Sequence, residues 1–183
     1  MMKIKELSRR KLNDALPLIW DVFLEYEAVN YSESGKRAFW DAIHSEEYLN
    51  TLKAYGAFEG KDLLGIIATR NEGRHVALFF VNGAHHGKGI GRSLWNGVLA
   101  ENTSGTITVH SSLFAVSIYK KLGFVQTDQV QEDGGIQYVP MKYQMAIIED
   151  CPCSKKKCKR HGHCNECRAY HAKSNRPRPC GRR

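Results

Sequence analysis

No run of apolar residues in this chain approaches the ~20 needed to cross a bilayer, so no membrane-spanning helix is expected. The opening residues, MMKIKELSRRKLND, hold no secretory apolar segment, and the cytoplasm is the expected location. Internal repeats and long Gly/Ser linkers are lacking as well. Cysteine is missing up to Asp150; all six (Cys151, Cys153, Cys158, Cys164, Cys167 and Cys180) fall after it. Acids are nearly missing from that same stretch. It carries 11 Lys+Arg against Glu166 alone, a net of +10, whereas residues 1–150 carry 16 Lys+Arg and 18 Asp+Glu, a net of −2. The basic character of the chain therefore belongs to a tail, and a boundary near Asp150 divides a domain (1–148) from that tail (149–183). Hydrophobic residues make up 42% of the chain, enough for a packed core and too many for a disordered one.

Within the domain, KIKELS reads as a first strand. LNDALPLIWDVFLEYEAV has apolar residues at helical spacing (Leu16, Ile19, Trp20, Phe23, Leu24), with Asn13 or Asp14 as its cap. SGKRAFWDAIHSEEYLNTLK predicts a second helical region. AYGAFEGKDLLGIIATR predicts two strands around a turn at residues 59–62. RHVALFFV is apolar enough for a central strand. GRSLWNGVLAEN predicts a helix, TITV a strand, and SSLFAVSIYKKLGF a helix from an N-cap serine to a stop at Gly123. A final pair of strands around EDGG completes a mixed α/β (α+β) domain built on one sheet.

The stretch VNGAHHGKGIGRSLW packs Gly83, Gly87, Gly89 and Gly91 between a buried strand and a helix. A helix N-terminus offers free N–H groups and partial positive charge to an anion, and glycines let the backbone come close. Lys88 and Arg92 add charge. A Walker loop does not fit, because Gly83 to Gly87 is one residue short and Lys88 is followed by glycine. A dinucleotide fingerprint does not fit either: the spacing is G-x-G-x-G, and no βαβ unit precedes it.

HHGKGIGRSL resembles the acyl-CoA pyrophosphate loop of the GNAT acetyltransferase superfamily, Arg/Gln-x-x-Gly-x-Gly/Ala, with His86 where Arg or Gln usually stands. VHSSLFAVSIYKKLGF, about thirty residues on, is similar to the family's later strand–helix segment ending in Tyr-x-x-x-Gly-Phe. The resemblance spans roughly residues 1–145 and implies a mostly antiparallel central sheet with splayed strands and flanking helices. It implies acetyl-CoA as cosubstrate, lying against Phe79, Phe80 and Val81, with its pyrophosphate held by His86, Gly87, Lys88, Gly89, Ile90, Gly91 and Arg92, and Ser112 and Tyr119 also in contact. It further implies direct attack by an amine on the thioester, with Tyr119 as the acid that protonates the departing thiolate. The attacking amine has to lose a proton first. His75, at the start of the buried strand, titrates in the right range and is the candidate base, or else a polar strand end. Glu25, Glu27 and Tyr31 are the candidates for the acceptor cleft, the two carboxylates attracting a cation or else being solvated on a helix surface.

The tail spaces its donors as C-x-C-x4-C-x2-H-x-H-C-x2-C-x3-H. Clustered cysteines in a cytosolic chain point to metal more than to disulfides. A structural zinc ion would fold a segment with almost no aliphatic residues, its ligands drawn from Cys151, Cys153, Cys158, His161, Cys164, Cys167 and His171. The alternative is a disordered basic tail with reactive thiols. The expected function is an N-acetyltransferase acting on an amine, small-molecule rather than protein. The alternative is an adaptor that senses CoA or binds nucleic acid or protein, with the tail carrying the activity. The tail's charge suits a polyanion, but Tyr170 is its single aromatic, so nucleic acid is not the favoured partner. A homodimer is compatible with the sequence.

Overall fold

The structure, a computed structural model, describes residues 2–102, 105–145, 151, 153–158, 160–162, 167, 170 and 171. Eight strands form one sheet: β1 (Lys3–Glu6), β2 (Lys53–Glu59), β3 (Asp62–Arg70), β4 (His75–Val81), β5 (Thr106–Ser111), β6 (Val125–Gln126), β7 (Gln131–Asp133) and β8 (Ile136–Gln144). Their order is β1-β2-β3-β4-β5-β8-β6, with β7 also on β8. Every pair is antiparallel except β4 with β5, which run parallel and pair only at His75–Thr108 and Val76–Val109. The domain is thus the mixed, mostly antiparallel sheet with splayed strands that the motifs implied.

Among the described residues up to 145, six α-helices cover the two faces. Helices α1 (Arg9–Asp14), α2 (Leu16–Tyr26), α3 (Glu33–His44) and α4 (Glu46–Asn50) lie on one face, over a core that includes Ile19, Phe23, Ile43, Ile66, Leu78 and Phe80. Helices α5 (Ile90–Glu101) and α6 (Val116–Lys121) lie on the other, over Ile67, Val76, Leu94, Trp95, Val109 and Met141. Along β4, successive side chains serve opposite cores, Phe79 packing on the side of α5 and α6 and Phe80 on the side of α1 to α4. Among the described residues, no helix is long and apolar enough to cross a membrane.

Four expectations about the elements are corrected. The first helical pattern is two helices, because Pro17 has no N–H to donate to the Asn13 carbonyl one turn back. The cap is Ser8, whose Oγ accepts from the Lys11 N–H at 3.4 Å, and neither Asn13 nor Asp14 caps α2. The helix after β5 starts at Val116 without a side-chain cap, Ser112 accepting from the Ala115 N–H at 3.3 Å in a turn just before it. The last region holds three strands, β6 and β7 both pairing with β8.

The turn between β7 and β8 reaches back to the start of α3. The Ser32 hydroxyl donates to the Gly135 carbonyl at 3.3 Å. A Cβ on Gly35 would collide with that same carbonyl, and one on Gly135, at φ +82°, would collide with Ser32 Oγ. Only glycine allows this close approach at both positions.

Candidate active site

Beyond Val76 the strand β5 turns away from β4, so the β4 edge from Ala77 to Val81 has no strand partner on that side. A bulge coincides with the parting: Ala68 and Thr69 of β3 face Leu78 and Val76, which leaves Ala77 as the extra residue. The gap opens into a cavity of about 530 Å³, bordered by Phe79, Phe80 and Val81 on one side and by Ala115, Ile118 and Tyr119 on the other.

The glycine turn forms one end of this cavity. Gly87 and Gly89 have φ of +76° and +79°, and a Cβ built on either meets no atom within 4 Å. Ser93 N–H is the first to close a helical bond, to the Gly89 carbonyl at 3.0 Å. Among the described residues, no protein group accepts from the N–H groups of residues 87 to 92. The backbone therefore presents a row of donors toward open space, at the positively polarised end of α5. Around it, side chains fix the turn. His86 Nε2–H donates to the Val81 carbonyl at 2.8 Å, tying loop to strand. The Arg92 guanidinium donates to the Lys121 carbonyl at 2.9 Å and joins α5 to α6. Lys88 is exposed, its Nζ 3.4 Å from His85 Nδ1. Tyr26 and Phe114, which sequence reasoning missed, form an aromatic rim, Tyr26 lying 5.0 Å from both the His86 and the Phe114 rings. Tyr26 is half-buried at the end of α2 and Phe114 is exposed in the turn before α6.

A polar cluster forms the other end. Tyr119 is buried on α6, its ring edge-on to Phe79 at 6.0 Å. Burial, and then the charge of Glu27, push its phenol well above the usual range and keep it protonated. Glu27, just past α2, is half-buried on the cavity wall. Burial pushes its carboxyl up to about 7, partly offset by a hydrogen bond from the Ser112 hydroxyl. Tyr31, tilted against Phe23 at 5.3 Å, is raised by burial and then by Glu27. The structure thus brings together Tyr119, Glu27, Tyr31 and Ser112.

It does not bring His75 or Glu25 into that cluster. His75 lies at the closed end of the β4–β5 pair, its Nδ1 2.8 Å from Thr108 Oγ1, and borders a separate surface depression. Burial and the charge of Arg70 hold it down to about 4. Glu25 is exposed beside the Tyr26 hydroxyl and Gly83. Of the expected metal ligands, Cys151 and Cys153 are buried, Cys158, His161, Cys167 and His171 are half-buried, and Cys164 lies outside the described residues. No three His, Cys, Asp or Glu side chains among the described residues come together as a metal site.

A sheet opened at a parallel pair, with free helix-end amides facing the opening, defines an acyltransferase fold. The sequence profile of the acetyltransferase (GNAT) domain matches residues 27–145, and the chain belongs to that family. No curated protein sequence matches the chain. Solved structures show the same fold at low identity. A GCN5-related N-acetyltransferase from Rhodopseudomonas palustris is 16% identical, with a TM-score of 0.66 over 78% of this chain and 95% of its own. The PaiA N-acetyltransferase from Thermoplasma acidophilum, solved with coenzyme A, is 20% identical, with a TM-score of 0.63 over 79% and 99%. The ribosomal-protein-S18-alanine N-acetyltransferase from Escherichia coli is 16% identical, with a TM-score of 0.53 over 82% and 97%.

Glu27 has a pH signature. Its folded carboxyl binds a proton more tightly than the unfolded one, so its burial is neutral below the unfolded value of 4.5 and destabilises the fold as pH rises through about 7. Glu27→Gln is therefore expected to raise the thermal midpoint relative to wild type at pH 8 and to leave it unchanged at pH 4. Differential scanning calorimetry at the two pH values reads both outcomes.

Proposed function

We propose that the protein transfers an acetyl group from acetyl-CoA to a primary amine by direct attack, with small-molecule amines favoured as acceptors. The observation that carries this reading is the row of unbonded N–H groups from Gly87 to Arg92 facing a cavity beside an unpaired strand edge. Such donors suit a pyrophosphate, and open space at the Gly87 and Gly89 Cβ positions suits its close approach. The open edge of β4 from Phe79 to Val81 suits an extended amide-bearing arm, although the Val81 carbonyl already accepts from His86. Acetyl-CoA, when bound, supplies an activated thioester and a thiolate leaving group.

The chain's own groups divide the proton work. An aliphatic amine is protonated near neutrality, since its pKa is about 10. Glu27, raised to about 7 and lining the cavity, takes up the amine proton over the same pH range. It replaces His75 in this role, because His75 lies outside the cavity. An N–H on the open β4 edge past Ala77 faces the carbonyl oxygen as charge develops on it. Tyr119, kept protonated by burial, donates to the departing sulfur.

We also propose a structural zinc ion in the tail. Its thiol and imidazole donors are of the right chemistry, and His161 Nδ1 is buried with no hydrogen-bond partner, as a ligand nitrogen would be.

Three outcomes are expected. Tyr119→Phe lowers turnover roughly 10²–10⁴-fold, the range for one acid–base group, with acetyl-CoA affinity nearly intact; unchanged turnover in a free-thiol assay removes Tyr119 from the mechanism. Gly89→Val abolishes acetyl-CoA binding by calorimetry, because its side chain fills the open space and disfavours the left-handed turn. Mass-spectrometric metal analysis of the purified chain finds at least one zinc per molecule; a metal-free, fully folded tail overturns the zinc assignment.

A further inference from the structure

Arg70 closes β3, its Cα opposite His75. The residue is half-buried, and its Nε is buried with no hydrogen-bond partner. Among the described residues, no carboxylate forms an ion pair with it. A guanidinium stays charged in a protein, and a partly desolvated charge without a counter-charge is unfavourable.

The groups around Arg70 do not neutralise it. The His75 ring meets the His110 ring edge-on at 5.1 Å, and His110 stacks on Tyr138 at 4.2 Å. Both imidazoles are lowered, by burial first and by Arg70 second, so they are neutral at pH 7 and do not add repulsion against an incoming anion. Tyr48 of α4 feels the same charge. Three acids lie in the neighbourhood: Glu47 borders the depression beside Arg70, Glu72 borders the one beside His75 and pairs with Arg74 at 3.0 Å, and Asp133 acts on His110. None is paired with the Arg70 guanidinium.

The position of the cluster suggests its use. Val76 and Val109 point into the core under α5, so His75 and His110 point to the opposite face, toward α3 and α4. Ser112, bonded to Glu27, lies two residues past His110 on that same face. His75 pairs with Thr108, so two strand spacings and four residues separate Arg70 from Ser112, on the order of 16 Å. The row from Arg70 through His110 thus leads toward the Glu27 end of the cavity, away from the glycine turn.

Resting on the transferase reading above, we propose that Arg70 anchors a carboxylate carried by the acceptor, whose amine reaches Glu27 across a spacer. The acceptor is then a zwitterionic ω-amino acid or short peptide, its amine and carboxylate at opposite ends, rather than a polyamine. A planar bidentate fork suits a carboxylate, and the anion would satisfy the orphaned Nε.

Calorimetry on the full chain tests this with 6-acetamidohexanoate and its neutral amide, a product pair differing in one group. The carboxylate is expected to bind at least about tenfold tighter, a preference lost in Arg70→Gln and partly kept in Arg70→Lys. The His110 imidazole NMR signals should shift on adding the carboxylate to wild type and stay still in Arg70→Gln. Acetyl-CoA affinity of Arg70→Gln should match wild type, which reports an intact fold. Equal affinity for the two compounds, saturable binding of neither, or a preference that survives Arg70→Gln overturns the proposal. Failure of the transferase reading shows differently: the carboxylate binds through Arg70, yet no amine in a panel releases free thiol from acetyl-CoA. That result overturns the acceptor role and leaves a carboxylate site without transfer.

Discussion

A buried strand has to place its backbone donors and acceptors somewhere, and β4 is given a second strand partner over only two residue pairs. Everything at the site follows from that shortage. The bulge at Ala77 turns the strand where its neighbour departs, and the apolar side chains of Phe79 and Phe80 wall the resulting gap on both faces of the sheet. A third strand cannot fill it, because α5 and α6 hold the following segments apart. An extended ligand with its own amides is the natural occupant, and the helix-end amides of the glycine turn give that ligand an anionic terminus to match.

The same opening sets the electrostatics of the two groups proposed to move protons. Tyr119 and Glu27 come from distant parts of the chain and meet where solvent is partly excluded. Burial raises both, with opposite consequences: the phenol is held in its donating form, while the carboxyl becomes a base that works near neutrality. The Ser112 hydroxyl keeps Glu27 from rising further. One low-dielectric wall thus prepares an acid and a base together, each lying within the electrostatic reach of the other.

The glycine turn and the Tyr-x-x-x-Gly-Phe segment were legible in the sequence because their geometry is local. A left-handed glycine and a helix start need only a few neighbouring residues. The proposed proton acceptor was not legible, since its selection depends on which end of the β4–β5 pair is open. His75 and the open edge share one strand, and nothing in RHVALFFV tells that the strands part only after Val76. Glu25 and Glu27 look alike as helix carboxylates. What separates them is that α2 ends at Tyr26 and a tight turn (Ala28–Asn30) carries Glu27 inward. Pro17 was visible, yet a strong apolar period masked the break it makes. Arg70 carried no local signal at all, since an unpaired cation is a property of its surroundings.

The clasp between Ser32, Gly35 and Gly135 has a wider meaning. It joins the segment holding Tyr31 to the hairpin that leads into Tyr138, adding a hydroxyl bond and a close approach of two glycines to the packing of Tyr31 against Phe23. Such a fastening is narrow and weak compared with the two cores beneath it. Under the proposed acceptor assignment, change in those few residues reshapes the rim where amines would enter and leaves the glycine turn as it is, which makes this rim the place where descendants of one scaffold acquire new appetites.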